Sequence, residues 1–281
     1  MSFLKYKQAG FSMVELLLTL TLSSVLILGV TQIYLEHKRA YIFQQSQLDV
    51  IENSRYAVLL LDDLLSKAGY RRSPSQPMSE AFPPAVKLSA YCENFASESV
   101  ITKVKVKDDK QQVGFCLRYQ PAYDDEFVCD GSTIALSDKT PFVSPESDET
   151  VYVAVMFTPH SHELDKGVLV CITNKSKVEL MVGVADMHVE FGVGAEGAKR
   201  LKKTLPFTMS HNWSVENGLV RAVRYSLLIA SRKHQRDVDS IIFKQWLSSA
   251  NESAKTRLKS QDVMHVYQIA TGSQALRNMM P

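Results

Sequence analysis

From Phe11 to Leu35 the chain runs for 25 residues with a single charge, Glu15. About 20 apolar residues in a helix cross the hydrocarbon core of a bilayer, and no other stretch of the sequence qualifies. The chain therefore reads as a soluble head carried on one apolar N-terminal helix, which excludes a polytopic membrane protein. At 281 residues, 45% hydrophobic and 22% charged, the balance is globular and leaves no room for a disordered or collagen-like class. The length admits one or two domains. A net charge of +2, from 32 basic and 30 acidic side chains, argues against a nucleic-acid binder that works through bulk charge.

The apolar stretch is too long for a secretory signal, whose apolar segment is about 7–15 residues and ends at a small-residue cleavage site. No such site precedes Glu36-His37-Lys38-Arg39. Lys5 and Lys7 lie before the apolar run, with Gly10 between. Positive charge stays cytoplasmic, so the N-terminus is expected inside and the bulk of the chain outside. Glu15 does not suit a plain anchor. An ionisable group in a spanning helix costs about 2.5–3.5 kcal/mol at the bilayer centre and less near an end. Such a group needs a partner.

Gly10-Phe11-Ser12-Met13-Val14-Glu15 resembles the type III signal of type IV pilins and pseudopilins: a short basic leader, glycine, then a phenylalanine-led apolar helix with glutamate fifth. The resemblance implies that a prepilin peptidase cuts after Gly10 on the cytoplasmic side and methylates the new amine, giving N-methylphenylalanine at Phe11. The apolar helix is retained. Cleavage creates a cation at Phe11, which Glu15 of a neighbouring subunit can pair.

Beyond Arg39 the helical pattern continues in a wetter form. Leu48, Ile51, Val58, Leu61, Leu65 and Ala68 recur at helical spacings as one apolar stripe. Gly69 and Pro74 mark its end. Phe11 to Ala68 is 58 residues, roughly 87 Å of helix, read either as one spine or as an anchor and a second helix with a break near residues 29–32. The expected organisation is a leader at 1–10, a transmembrane or fibre-core half-spine at 11–35, an amphipathic half-spine at 36–72 and a periplasmic head at 73–281.

Further segments resemble PilW-type minor pilins. Ile51-Glu52-Asn53-Ser54-Arg55-Tyr56-Ala57 through Ala68-Gly69-Tyr70 is similar to the end of that family's spine. Val182-Gly183-Val184-Ala185-Asp186-Met187-His188-Val189-Glu190-Phe191-Gly192-Val193 resembles its GVxDLxVxYGV segment. Val220 to Leu228 resembles its next strand, and Gln274-Ala275-Leu276-Arg277-Asn278 its closing strand and end. These pieces span most of the chain in order. Arg71-Arg72 departs from the glycine or cysteine expected there, and residues 73–147 match no part of the pattern.

Four prolines between Ser73 and Pro84 read as a linker. Short β-type runs follow, at Val100–Val106, Val113–Tyr119, Val151–Phe157, Val168–Thr173, Val178–Val184, Met187–Phe191, Val220–Ser231 and Val263–Ile269. The predicted class is α+β, with one long helix against a mainly antiparallel sheet. Lys103, Lys105 and Lys107 alternate with Val104 and Val106, as on an edge strand guarded by lysine; a DNA-binding stripe is the competing reading. The cysteines, Cys92, Cys116, Cys129 and Cys171, are even in number and lie on the expected outer side, which suggests two disulfides. Three connectivities are open. The short loop favours Cys116 with Cys129, leaving Cys92 with Cys171. Zinc spacing is absent.

Other constellations have blander readings. Gly192-Val193-Gly194-Ala195-Glu196-Gly197 fits G-x-G-x-x-G, but Ala198–Leu205 is short, basic and stopped by Pro206, so a glycine-rich hairpin loop suits it better than a dinucleotide site. His160-Ser161-His162-Glu163 reads as an exposed loop and Asp124-Asp125-Glu126 as a solvated acidic turn. No nucleophile elbow, zinc-protease or P-loop motif occurs, so no enzyme, cofactor or metal is expected.

The resemblance implies a PilW-type minor pilin that helps initiate a type IV pilus. It would sit in the inner membrane with its head periplasmic, then at the pilus tip. Implied partners are other minor pilins, the major pilin, the prepilin peptidase, the inner-membrane assembly platform and a PilY-type tip adhesin. The rivals are a pseudopilin of type II secretion, a DNA-uptake pilin using Lys103, Lys105, Lys107 or Lys199–Lys203, and a membrane-anchored periplasmic protein with an uncut leader.

Overall fold

The computed structural model describes residues 10, 12–105, 112–193, 208–209, 213, 218–232 and 236–279. The chain divides into two compact units, Met1–Gln45 and Ser46–Pro281. Helix α1 (Met13–Lys67) begins in the first and ends in the second, without a break at residues 29–32.

In the second unit α1 is followed by the single turn α2 (Met78–Ala81), then by β1 (Ile101–Lys103), β2 (Val113–Tyr119), β3 (Glu126–Phe127), β4 (Thr133–Ile134), β5 (Val151–Thr158), β6 (Val168–Ile172), β7 (Lys177–Val182), β8 (Val184–Val193), β9 (Thr208–Met209) and β10 (Val220–Ala230). Helices α3 (Ile241–Ser249) and α4 (Glu252–Gln261) precede the closing strand β11 (Tyr267–Ala275). The fold is α+β. One sheet has the order β1-β2-β5-β6-β7, a second β11-β10-β8-β9, and β3-β4 is a small hairpin. Every described pairing is antiparallel.

Alternation along the strands builds the layers. Phe115, Leu117 and Tyr119 of β2, Val151, Val153, Val155 and Phe157 of β5, and Leu169 and Cys171 of β6 enter the main core. The same core takes Val189 and Phe191 of β8, Val223, Tyr225 and Leu227 of β10, Ala57, Leu61 and Leu65 of α1, and Ala68 just beyond it. The alternate residues Cys116, Tyr152, Ala154, Met156, Val170 and Ile172 face the other side of the first sheet, beneath Cys92, Phe95 and Val104. Arg118 lies fully buried on that side, its guanidinium donating to the carbonyls of Phe82, Pro83, Ala96 and Ser99. It sits 5.3 and 5.0 Å from the rings of Phe82 and Phe95. A strand residue thus fastens the proline-rich segment onto the sheet.

The helical stripe differs from its sequence expectation. Val50, Ser54, Ala57, Leu61, Leu64 and Leu65 form the buried face, whereas Leu48 and Ile51 are 66% and 38% exposed. Small residues at 54 and 57 let the helix approach the sheets closely, and a reading weighted by large apolar side chains picks the wrong face there. Gly69, at φ +71°, ends the helix in the left-handed conformation that glycine adopts freely.

The disulfides also correct the expectation. They join Cys92 to Cys116 and Cys129 to Cys171, with Cα atoms 6.0 and 6.1 Å apart. Cys116 and Cys171 face opposite sides of the first sheet, so the short-loop pairing of Cys116 with Cys129 would have to pass through it. The strand expected at Val263–Ile269 instead begins at Tyr267, because residues 262–265 form a turn with Met264 at φ 62°. The sequence reading did not separate α3 and α4 from the β-rich head. Val178–Val184 and Met187–Phe191 become β7 and β8, divided by Gly183 at φ +96° where the chain changes sheets. There Gly167 approaches so closely that an added Cβ would lie 2.1 Å from the Val184 carbonyl oxygen.

Candidate functional site

Glu15 lies in the first turn of α1, which opens with the Leu16 N–H donating to the Ser12 carbonyl. A carboxylate there suits the positive end of the helix macrodipole. Around it the apolar side chains are bare: Met13 is 82% exposed, Leu28 71% and Leu35 49%. Exposed apolar surface of this extent needs lipid or neighbouring helices to cover it. The hydroxyls of Thr19, Thr21, Ser24 and Thr31 donate to carbonyls three or four residues back and so are satisfied within the helix. Glu15 has no such internal partner among the described residues. Gly10 lies before the helix and is exposed, while Phe11 falls outside the described residues.

α1 is also the one described helix long and apolar enough to cross a membrane. Residues 5–31 match the family described as Prokaryotic N-terminal methylation motif. The chain carries a type IV pilin-like N-terminus. This pilin-like signal, on an apolar N-terminal helix, fits anchoring in the inner membrane and dealings with other pilins and a prepilin peptidase. It also fits a structural, non-enzymatic protein of a pilus or pseudopilus. No curated protein and no solved structure matches the chain.

The head has its own polar centre, which the sequence reading missed. Asp186 on β8 is buried at 3% exposure. Its Oδ2 accepts from Trp246 Nε1 at 2.8 Å and its Oδ1 from Arg257 Nη2 at 3.0 Å. Arg257 also donates to the Ala185 carbonyl. His188 stacks on Trp246 at 4.3 Å and places Nε2 3.7 Å from Asp186. One carboxylate thus ties α3 and α4 to the outer face of the second sheet. Burial pushes the Asp186 carboxyl up, against Arg257, Trp246 and His188, and pushes the His188 imidazole down, against Asp186 and Glu190. The available signal was local. Ser240 and Asn251 cap α3 and α4 by accepting from the Phe243 and Ala254 amides, a pattern of helix starts visible in sequence.

The other sequence candidates are engaged elsewhere. His160 Nδ1 accepts from the His162 and Glu163 amides in an exposed loop. Asp124 pairs with Lys139 at 2.6 Å, Asp125 takes the turn at φ 58°, and Glu126 is buried beside Lys67 at 3.6 Å. Lys103 lies over the Trp213 ring at 5.8 Å, and burial lowers its ammonium pKa. Lys105 Nζ donates to the Ser89 carbonyl. Lys107, Lys199–Lys203 and Gly194–Gly197 lie outside the described residues. Arg71 and Arg72 reach the Gln76 and Thr140 carbonyls, and the Arg72 amide donates to Gln120, so they fasten residues 73–147 to the helix end.

Proposed function

We propose that this chain is a PilW-type minor pilin that helps initiate type IV pilus assembly in a tip complex with other minor pilins. The carrying observation is the motif match at residues 5–31, together with Glu15 in the first turn of an apolar helix and without an internal partner for its charge among the described residues. In this reading a prepilin peptidase cuts between Gly10 and Phe11 and methylates Phe11. The cationic amine of one subunit then meets Glu15 of the next. Apolar packing among helices is non-directional, and the charge pair supplies register because an unpaired charge there is penalised.

The head supports the same reading through order along the chain. The PilW-like segment from Gly183 to Val193 forms the corner and length of β8, and Arg221–Leu228 forms the adjacent β10. The major pilin, the assembly platform and a PilY-type tip adhesin are the remaining proposed partners. The tip of the surface pilus is the proposed final location. A DNA-uptake role is less well supported, since Lys103 and Lys105 are engaged within the head.

A deletion strain tests the choice between fibre systems. Loss of surface pili with type II secretion intact is the expected result. Loss of secretion with normal piliation would move the protein to a pseudopilus.

A further inference from the structure

On the side of the first sheet away from the main core, residues 76–87 and 145–150 border a groove of about 470 Å³, with the buried Gln120 and Tyr152 at its base. Small-ligand sites span about 300–1,000 Å³. The walls of this one are held from behind. Arg118 donates to the Phe82 and Pro83 carbonyls, and Ala85 exchanges both backbone hydrogen bonds with Phe95. Across the groove, the Glu149 carboxylate accepts from the Ser137 and Glu146 amides. The cavity is therefore formed before any ligand arrives, which lowers the cost of binding.

Its polar side chains, by contrast, are left over. Gln120 Oε1 accepts from the Arg72 amide, which can only donate, so Gln120 Nε2 must donate to Gln76 Oε1. Gln76 Nε2 then keeps both of its N–H groups uncommitted. The Glu80 and Asp148 carboxylates, the Lys87 ammonium and the Thr150 hydroxyl also make no hydrogen bond or ion pair among the described residues. Acceptors and donors thus stand side by side around one cavity. Backbone pairing is poorly provided for. Pro83, Pro84 and Pro145 have no N–H, and the Phe82, Pro83 and Ala85 carbonyls are already taken.

We infer that this groove binds a neutral mono- or disaccharide. Each hydroxyl of a sugar ring both donates and accepts, so neighbouring hydroxyls can donate to Glu80 or Asp148 while accepting from Gln76 Nε2 or Lys87. The C–H faces of the ring suit the proline walls. An ion of either sign would lie beside a like charge as well as a countercharge, and an extended peptide would find few backbone partners. The groove belongs wholly to the second unit, so the inference stands whether or not the leader is cut.

Amide hydrogen exchange on the full chain tests this, in micelles of a detergent without a sugar headgroup. The probes are maltose, cellobiose, lactose and diacetylchitobiose. At about 10 mM, ten times the Kd of a millimolar site, at least one should slow exchange about tenfold in peptides covering 76–87 and 145–152. Asp148→Ala and Gln76→Leu each remove a polar contact and should weaken binding about tenfold. Asp148 is exposed and unpaired within the chain, so its variant reads binding even where Gln76→Leu disturbs the fold. The inference is overturned if none of the four sugars slows exchange there, or if Asp148→Ala binds as well as the original chain. It is equally overturned if capped Ala-Lys-Ala protects these peptides and the sugars do not.

Discussion

The Tyr225 hydroxyl lies 2.7 Å from the Asp62 carboxylate and 3.1 Å from the Val58 carbonyl, both acceptors for its proton, and so joins β10 to the last turns of α1. To get there the ring crosses the strand beside it. An added Cβ at Gly272, the partner of Tyr225 across the ladder, would lie 2.1 Å from the hydroxyl oxygen and 2.2 Å from the ring. Gly272 is therefore the opening through which the tyrosine reaches the helix.

Tyr225→Phe should destabilise the head by about 1.5 kcal/mol, the lower end for a bond to a charged group, because Asp62 is only half-buried. Gly272→Ala should cost at least as much by displacing the ring. The two should be less than additive, since each removes the same Tyr225–Asp62 bond. Denaturant unfolding of the single and double variants checks this, and strict additivity would dissociate the glycine from the tyrosine.

The cysteine connectivity carries its own test. Non-reducing peptide mapping should recover Cys92 linked to Cys116 and Cys129 linked to Cys171. Replacing either pair by serine should lower stability by about 2–4 kcal/mol. The second bond has a polar companion: Asp130 accepts from Ser132, Thr173 and Ser176, and these bonds outweigh burial to hold its carboxyl at about 2. A Cys116–Cys129 peptide would contradict the two-faced arrangement of the sheet.

The main-core strands were legible because burial imposes a period of two. Val113–Tyr119 and Val151–Phe157 read as strands and form β2 and the bulk of β5. The same alternation, applied to Cys116 between Phe115 and Leu117, would have placed that cysteine on the opposite face from Cys171. Loop length was the weaker guide. The middle of β11 escaped, between the strand start read to Ile269 and the tail read from Gln274, because Ala270-Thr271-Gly272-Ser273 has little intrinsic strand character; pairing with β10 and the passage of Tyr225 impose the conformation. Asp186 escaped because nothing local announces a partner 60 residues away. Glu15 was legible on its own, since an apolar helix leaves a lone charge in plain view.

The head should lose stability on the acid side through His188. Its folded pKa lies below the ordinary 6.5, chiefly through burial and against the pull of Asp186 and Glu190. The unfolded chain therefore binds more protons as pH falls below about 6.5, and stability declines there. Asp186, with its carboxyl raised above 3.8 by burial against Arg257 and Trp246, acts in the opposite sense as pH falls towards that value. His188→Gln removes the histidine contribution and, with it, one of the groups that opposes the rise of the Asp186 carboxyl, which flattens the acid-side decline in the same direction. Thermal unfolding from pH 7 to 5 should show a flatter decline in that variant, and an identical decline in both proteins would remove His188 from the account.

Glu15→Ala should leave the head folded and the helix inserted while impairing assembly. If the lost pairing is worth at least about 1.4 kcal/mol per subunit contact, incorporation falls tenfold or more. Membrane fractionation, disulfide mapping and a pilus count on the same strain separate these outcomes. Normal piliation would show that the carboxylate has no assembly role.

Mass spectrometry of the N-terminal peptide from native membranes tests the central claim most directly. The expected peptide begins at Phe11 and is one methyl group heavier than its sequence. A peptide still carrying Met1 to Gly10, from cells with an active prepilin peptidase, would contradict it and leave an anchored head with an unprocessed leader.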